Sequence, residues 1–176
     1  MHNGCEWLSI PIKIPDNIYT EAVEEELYKI FFEEIYNCEW FYRNKKISMR
    51  KQPLYRGKEE SFFHIISGKD NPMLSDCQTD IDRVTRLRWG KEIIEHEPCV
   101  QSGKCCKGLL VWDYFDNRLR KIRRKIFHTK VNYLVILEER KDYWLYITSY
   151  RIGDTYRRRE LLKEAHNNIN KKRPAT

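Results

Sequence analysis

Four strand-like segments follow one another late in the chain with almost no room between them: Leu109 to Phe115, Leu119 to Phe127, Asn132 to Glu139 and Tyr143 to Tyr150. The first and last are rich in β-branched and aromatic residues, the second sets Ile122, Ile126 and Phe127 among Lys and Arg, and Lys141-Asp142 is short enough to be a hairpin connection. Connections this short permit only antiparallel neighbours, because a parallel crossover needs a dozen or more residues. The chain is thereby committed to an antiparallel meander, and whatever precedes it must cover that sheet.

What precedes reads mainly as helix. Asp16 or Asn17 can cap a helix from Ile18 to about Tyr42, whose apolar positions Val23, Leu27, Ile30, Phe31, Ile35 and Cys38 keep the helical period. Its other face carries Glu21, Glu24, Glu25, Glu26, Glu33 and Glu34, either a solvated face or a docking surface for a basic partner. Leu8 to Ile14, with Pro11 and Pro15, reads as an edge strand or extended arm. Phe62 to Ser67 reads as a short strand, Asn71 to Asp76 as a turn, Gln78 to Glu95 as a helix bent near Gly90, and Cys99 to Gly108 as irregular. The expected class is α+β: N-terminal helices packed on a curved four- to five-stranded antiparallel sheet, with a C-terminal helix from Thr155 to about Ile169. A length of 176 residues suits a single domain, with an arm and acidic helix in 1–60, the α+β core in 61–169 and a basic tail in 170–176.

Charge narrows the partners. The chain carries +7 overall, but residues 118–176 hold 17 Lys/Arg against 6 Asp/Glu, net +11, and the first 117 residues hold 16 against 20, net −4. A basic half suits a phosphate backbone, although a solvated basic face has the same composition. No apolar run approaches the roughly 18 residues of a membrane span, and no basic region followed by an apolar core opens the chain, so a cytoplasmic location away from membranes is expected. His96, Cys99, Cys105 and Cys106 lie close together, but Cys-x5-Cys-Cys is not a CxxC knuckle; free thiols are the simpler reading, and neither metal nor cofactor is expected. Phosphate-loop, dinucleotide-binding, HExxH and GxSxG motifs are absent. Acid–base chemistry or simple binding remains.

Three features can carry such chemistry. His64, in Phe62-Phe63-His64-Ile65-Ile66, bears a ring that titrates near neutrality; it is either a proton-transfer group or a hydrogen-bonded core histidine. Arg83 and Arg86 share a helical face and form either a phosphate clamp or a solvated face paired with Asp80 and Asp82. On the last strand, alternation sets Trp144, Tyr146, Thr148 and Tyr150 together, either as a platform for a base and a phosphate or as a face covered by a helix. Arg120, Arg123 and Arg124, and Arg157 and Arg158, suit contacts to a nucleic-acid backbone. His128 is a further candidate for proton transfer, in what reads as a turn.

The order of these parts resembles the phage-associated branch of the Barnase–EndoU–colicin–RelE nuclease fold. The likeness runs from about Phe62 to Glu164 through a strand-borne His64 in FHIISG, RxxRLxW with Ile93-Ile94, YLVILEER, YWLYITSYRI and ELLKE. It implies metal-independent RNA cleavage, in which a 2′-hydroxyl attacks the adjacent phosphorus and leaves a 2′,3′-cyclic phosphate. On that likeness His64 is the general base or acid, Arg83 and Arg86 hold the phosphate, and Thr148 with Tyr150 positions or stabilises the charged intermediate. Lys69 adds charge stabilisation. The expected protein is an endoribonuclease of a phage, mobile element or toxin system, with RNA as substrate and an antitoxin or immunity protein as a further candidate partner. The alternatives are a non-catalytic nucleic-acid-binding module and a protein-interaction domain that docks through its acidic helix. The insertion from Cys99 to Gly108 and the long acidic helix depart from the pattern.

Overall fold

The computed structural model describes residues 7–67, 79–101 and 108–171. Its centre is the meander expected from the sequence, numbered in chain order: β5 (Leu109–Asp116), β6 (Lys121–His128), β7 (Tyr133–Glu139) and β8 (Tyr143–Arg151). Successive strands pair antiparallel, with Val111 opposite Ile126, Ile126 opposite Val135, and Val135 opposite Ser149. The β7–β8 turn closes through the Arg140 N–H, which donates to the Tyr143 carbonyl at 3.0 Å. The C-terminal helix α5 (Thr155–Lys171) packs back across β5.

The sheet is larger than expected and mixed. Two further strands, β1 (Phe41–Tyr42) and β2 (Lys45–Ser48), form a hairpin, and β2 runs parallel to β8, setting Ile47 opposite Trp144. The curled six-stranded sheet has the order β1-β2-β8-β7-β6-β5. A second hairpin joins β3 (Leu54–Tyr55) to β4 (Lys58–Glu59). Both hairpins turn on two residues of positive φ, Arg43 and Asn44 in one and Arg56 and Gly57 in the other. Two successive positive φ values match the right-handed twist of a two-residue hairpin. Because β2 stops at Ser48, the edge of β8 away from β7 has no strand neighbour after Leu145, and helices α2 (Glu60–Ser67) and α3 (Ile81–Val84) pack against β8 instead.

Several expectations are corrected here. Phe62 to Ser67 is not a strand but most of helix α2, in which Phe62, Phe63, Ile65 and Ile66 are buried. A short apolar run has no periodicity with which to separate a fully buried helix from a strand. The first helix, α1 (Glu21–Phe31), begins later than expected: its cap is Thr20, whose Oγ1 accepts from the Val23 N–H, while Asp16 and Asn17 sit in a 3₁₀ turn with positive φ. It ends in a π-helical turn over Phe32–Tyr36, after which the aromatic run enters β1. The expected helix over 78–95 is two pieces, α3 capped by Asp80 and α4 (Trp89–Gln101), so the break falls at Thr85–Arg88, ahead of Gly90. Cys99 to Gln101 thus belong to α4, not to irregular chain, and 102–107 lie outside the described residues. Leu8 to Ile14 is an arm without strand pairing, tied down where the Ile12 N–H donates to the Thr85 carbonyl at 2.7 Å.

The sheet divides the apolar interior. On one side Leu27, Phe31, Phe62 and Ile93 pack against Val135, Leu137 and Trp144; on the other, Leu161 and Ala165 of α5 pack against Trp112, Phe127 and Leu134. Each such Leu, Ile, Val or Phe side chain contributes about 1.5–3 kcal/mol by leaving water. Among the described residues, no helix is long and apolar enough to cross a membrane. The tightest approach is at Gly90 of α4, where a Cβ would stand 2.1 Å from the Tyr146 hydroxyl oxygen and 2.8 Å from Ser149 Oγ. Gly90→Ala is therefore expected to destabilise the fold by about 1–3 kcal/mol, read as a lower urea midpoint with an unchanged slope.

Candidate active site

A cleft of about 490 Å³ opens between α2, α3, the β5–β6 turn and the free edge of β8. Its floor is Ile136, Ile147, Thr148 and Tyr150, and its walls carry Glu60, Ser61 and His64 on one side and Asp116, Arg118 and Arg123 on another. Helical geometry accounts for the first wall: positions 60, 61 and 64 fall on one stripe of α2, while its apolar residues turn to the core. Four arginines, Arg50, Arg83, Arg118 and Arg123, face two carboxylates, so the cleft is net cationic.

Arg83 links the helical wall to the sheet. Its Nη1 donates to Thr148 Oγ1 at 3.2 Å, its Nε lies 3.5 Å from the Asp80 carboxylate, and its guanidinium stands 4.6 Å from the centre of the Tyr150 ring. Stacked and hydrogen-bonded, the guanidinium loses little freedom on meeting an anion. Arg123 is held between Asp116 at 3.1 Å and Glu138 at 3.5 Å. Glu60, one helical turn before His64, lies 3.5 Å from the exposed Arg50 guanidinium.

A β-bulge decides which side chains of β8 reach the cleft. Leu137 pairs with Tyr146 and Ile136 with Thr148, so Ile147 is an extra residue and the alternation breaks there. The expected common face of Trp144, Tyr146, Thr148 and Tyr150 is therefore split. Trp144 is buried in the core between the Tyr42 ring and the Arg124 guanidinium, and is no base-stacking platform. Tyr146 borders the cleft, but its hydroxyl points inward and donates to Ser149 Oγ at 2.5 Å, which in turn meets the Tyr133 hydroxyl at 2.9 Å. Burial raises both phenols, that of Tyr133 to about 12.

The structure thus brings together His64, Arg83, Thr148, Tyr150 and Arg123, and leaves other candidates elsewhere. Arg86 is turned to Asp82 and to the Trp89 ring, 5.1 Å away, and does not line the cleft. Arg124 is buried and paired with Asp113 at 2.6 Å; burial works against its charge, but Asp113 and Tyr42 together outweigh it and raise its pKa. Arg120 lines a different groove, Arg157 is exposed near the start of α5, and Arg158 donates to Asn132 at 2.6 Å. Lys69, Cys105 and Cys106 lie outside the described residues, and His96 stacks on Trp7 at 4.4 Å. Among the described residues, no group of three or more His, Cys, Asp or Glu is placed to hold a metal. The reading of single residues missed Arg50, Glu60, Ser61, Asp116 and Arg118; only the spacing of Glu60 and His64 carried a signal, and it required α2 to be recognised as a helix. No family model, curated protein or solved structure matches the chain.

His128 closes β6 rather than lying in a turn, and it is fully buried. Burial, opposed by a backbone hydrogen bond and reinforced by nearby Lys130, lowers its pKa from 6.5. The folded state thus resists protonation there, so the stability involved is present above pH 6.5 and is lost as pH falls through the lower folded value. Melting temperature measured from about pH 7 down to about pH 5 is expected to fall, with a shallower slope in His128→Asn than in the unmodified protein.

Proposed function

We propose that this protein is a metal-independent endoribonuclease that cleaves RNA by 2′-hydroxyl attack, leaving a 2′,3′-cyclic phosphate. The observation that carries this reading is the meeting of His64, Arg83 and Thr148, with Arg118 and Arg123, in one open cationic cleft. The likeness to the phage-associated Barnase–EndoU–colicin–RelE branch supports the same reading, with a phage, mobile-element or toxin setting and a neutralising partner.

The reaction asks for few parts. A base removes the 2′-hydroxyl proton, the 2′-oxygen bonds to phosphorus, the bond to the 5′-oxygen breaks, and an acid returns a proton to that leaving oxygen. His64 serves one of these transfers, and Glu60, one turn earlier on the same stripe of α2, is a second titratable group lining the cleft. Arg83 and Arg123 hold the phosphate and offset the charge that develops on it. Thr148 already accepts a hydrogen bond from Arg83, which leaves its own O–H to donate to a phosphate oxygen.

The test is RNA cleavage in the presence of a chelator, with the ends examined for cyclic phosphate. His64→Ala should lower the rate by about 10²–10⁴, and Arg83→Ala by about 10²–10³, with the melting temperature nearly unchanged. Arg86→Ala should instead show its effect in melting temperature. A folded His64→Ala protein that cleaves at the unmodified rate would sink the reading.

A further inference from the structure

A second groove, of about 470 Å³, lies on the other side of the β5–β6 turn. Its cations are Lys45, Arg120, Lys121, Arg140 and Lys141, and its one carboxylate, Glu139, is held by Lys45 at 3.0 Å. Arg140 is turned to Glu138, while Arg120 and Lys141 are exposed. Between the cations stand Phe115 and Ile122, cross-strand partners that are 55% and 50% exposed. An exposed aromatic ring set among cations has the composition of a surface that stacks bases and tracks a phosphate backbone.

Continuity with the cleft selects the occupant. Arg118 and Leu119 line the cleft, and the next two residues, Arg120 and Lys121, line the groove. These four consecutive residues span at most about 11 Å between their end Cα atoms, so one strand can cross the turn and touch both sites. We propose that the groove takes the single-stranded RNA leaving the cleft, with Phe115 stacked on a base and Lys121 and Lys141 on phosphates. The assignment rests on the ribonuclease reading for the path of the strand. It makes the substrate an extended, single-stranded RNA rather than a dinucleotide.

The test is binding, followed by fluorescence anisotropy on the full chain carrying His64→Ala so that nothing is cut. One probe is a labelled oligouridylate of about twelve nucleotides, long enough to occupy both sites; the other is a trinucleotide. Adding Phe115→Ala, Lys121→Ala and Lys141→Ala together should weaken the longer probe by about tenfold or more. Its salt dependence should become shallower by about 0.7 in log–log slope for each phosphate that is no longer neutralised. Trinucleotide affinity and melting temperature should not move. An unchanged affinity for the longer probe overturns the proposal and leaves the groove to an acidic protein. Equal weakening of both probes also overturns it, since the effect would then lie in the cleft or the fold. Failure of the ribonuclease reading shows separately, as absence of cleavage by the unmodified chain.

Discussion

The extra residue at Ile147 divides β8 into a half that builds the core and a half that builds the cleft. Before it, Trp144 and Tyr146 point toward the helices that cover the sheet; beyond it, Thr148 and Tyr150 point to the open side while Ser149 turns inward. With strict alternation, Thr148 would follow Tyr146 into the interior and Arg83 would have no sheet partner. The hydroxyls of Tyr146, Ser149 and Tyr133 bond across the irregularity, and Gly90 leaves room for them. A bulge of this kind re-aims a side chain without changing the strands around it.

Charge is arranged on the same principle, with much of it committed internally. The acidic side chains of the first helical segment are not simply solvated: Glu24 of α1 bonds Lys58 and Arg56, and Glu34 of the π-helical turn that follows bonds Arg88. Burial alone would raise the pKa of Glu24, but Lys58, Tyr19 and Arg56 outweigh it and lower it. On the sheet, Arg124 and Lys125 are tied to Asp113 and Glu164. Such pairs contribute little net stability where exposed and are costly to break by halves where buried. The exposed cations that remain include Arg118 and Arg120 at the β5–β6 turn, Lys141 at the β7–β8 turn, and Arg157 and Arg159 on α5.

The sequence was most informative where structure is local. Strands β5 to β8 and helix α5 were legible because alternation, helical period and tight turns are short-range signals. Helix α2 was not, since a buried helix and a buried strand share the composition of Phe62 to Ile66. The β1–β2 and β3–β4 hairpins went unread although Arg43-Asn44 and Arg56-Gly57 occupy their turns. Within the site, His64, Arg83, Thr148 and Tyr150 stood out by residue type and order. Arg50, Glu60, Asp116 and Arg118 did not, because curling of the sheet, a tertiary event, brings them into the cleft. Arg86 and Trp144 show the converse: chemistry-bearing residues that packing assigns to support.

The parallel pairing of β2 with β8 has a consequence for assembly. Ile47 meets Trp144 across most of the chain, and Arg83 meets Thr148 over a separation of 65 residues. Contacts so distant in sequence close large loops and form late, after the meander has reached its last strand. A chain growing from its N-terminus therefore carries His64 and Arg83 long before it has the surface opposite them. The cleft exists only once synthesis has passed β8, so a nascent or prematurely ended chain has the ingredients of the site without the site.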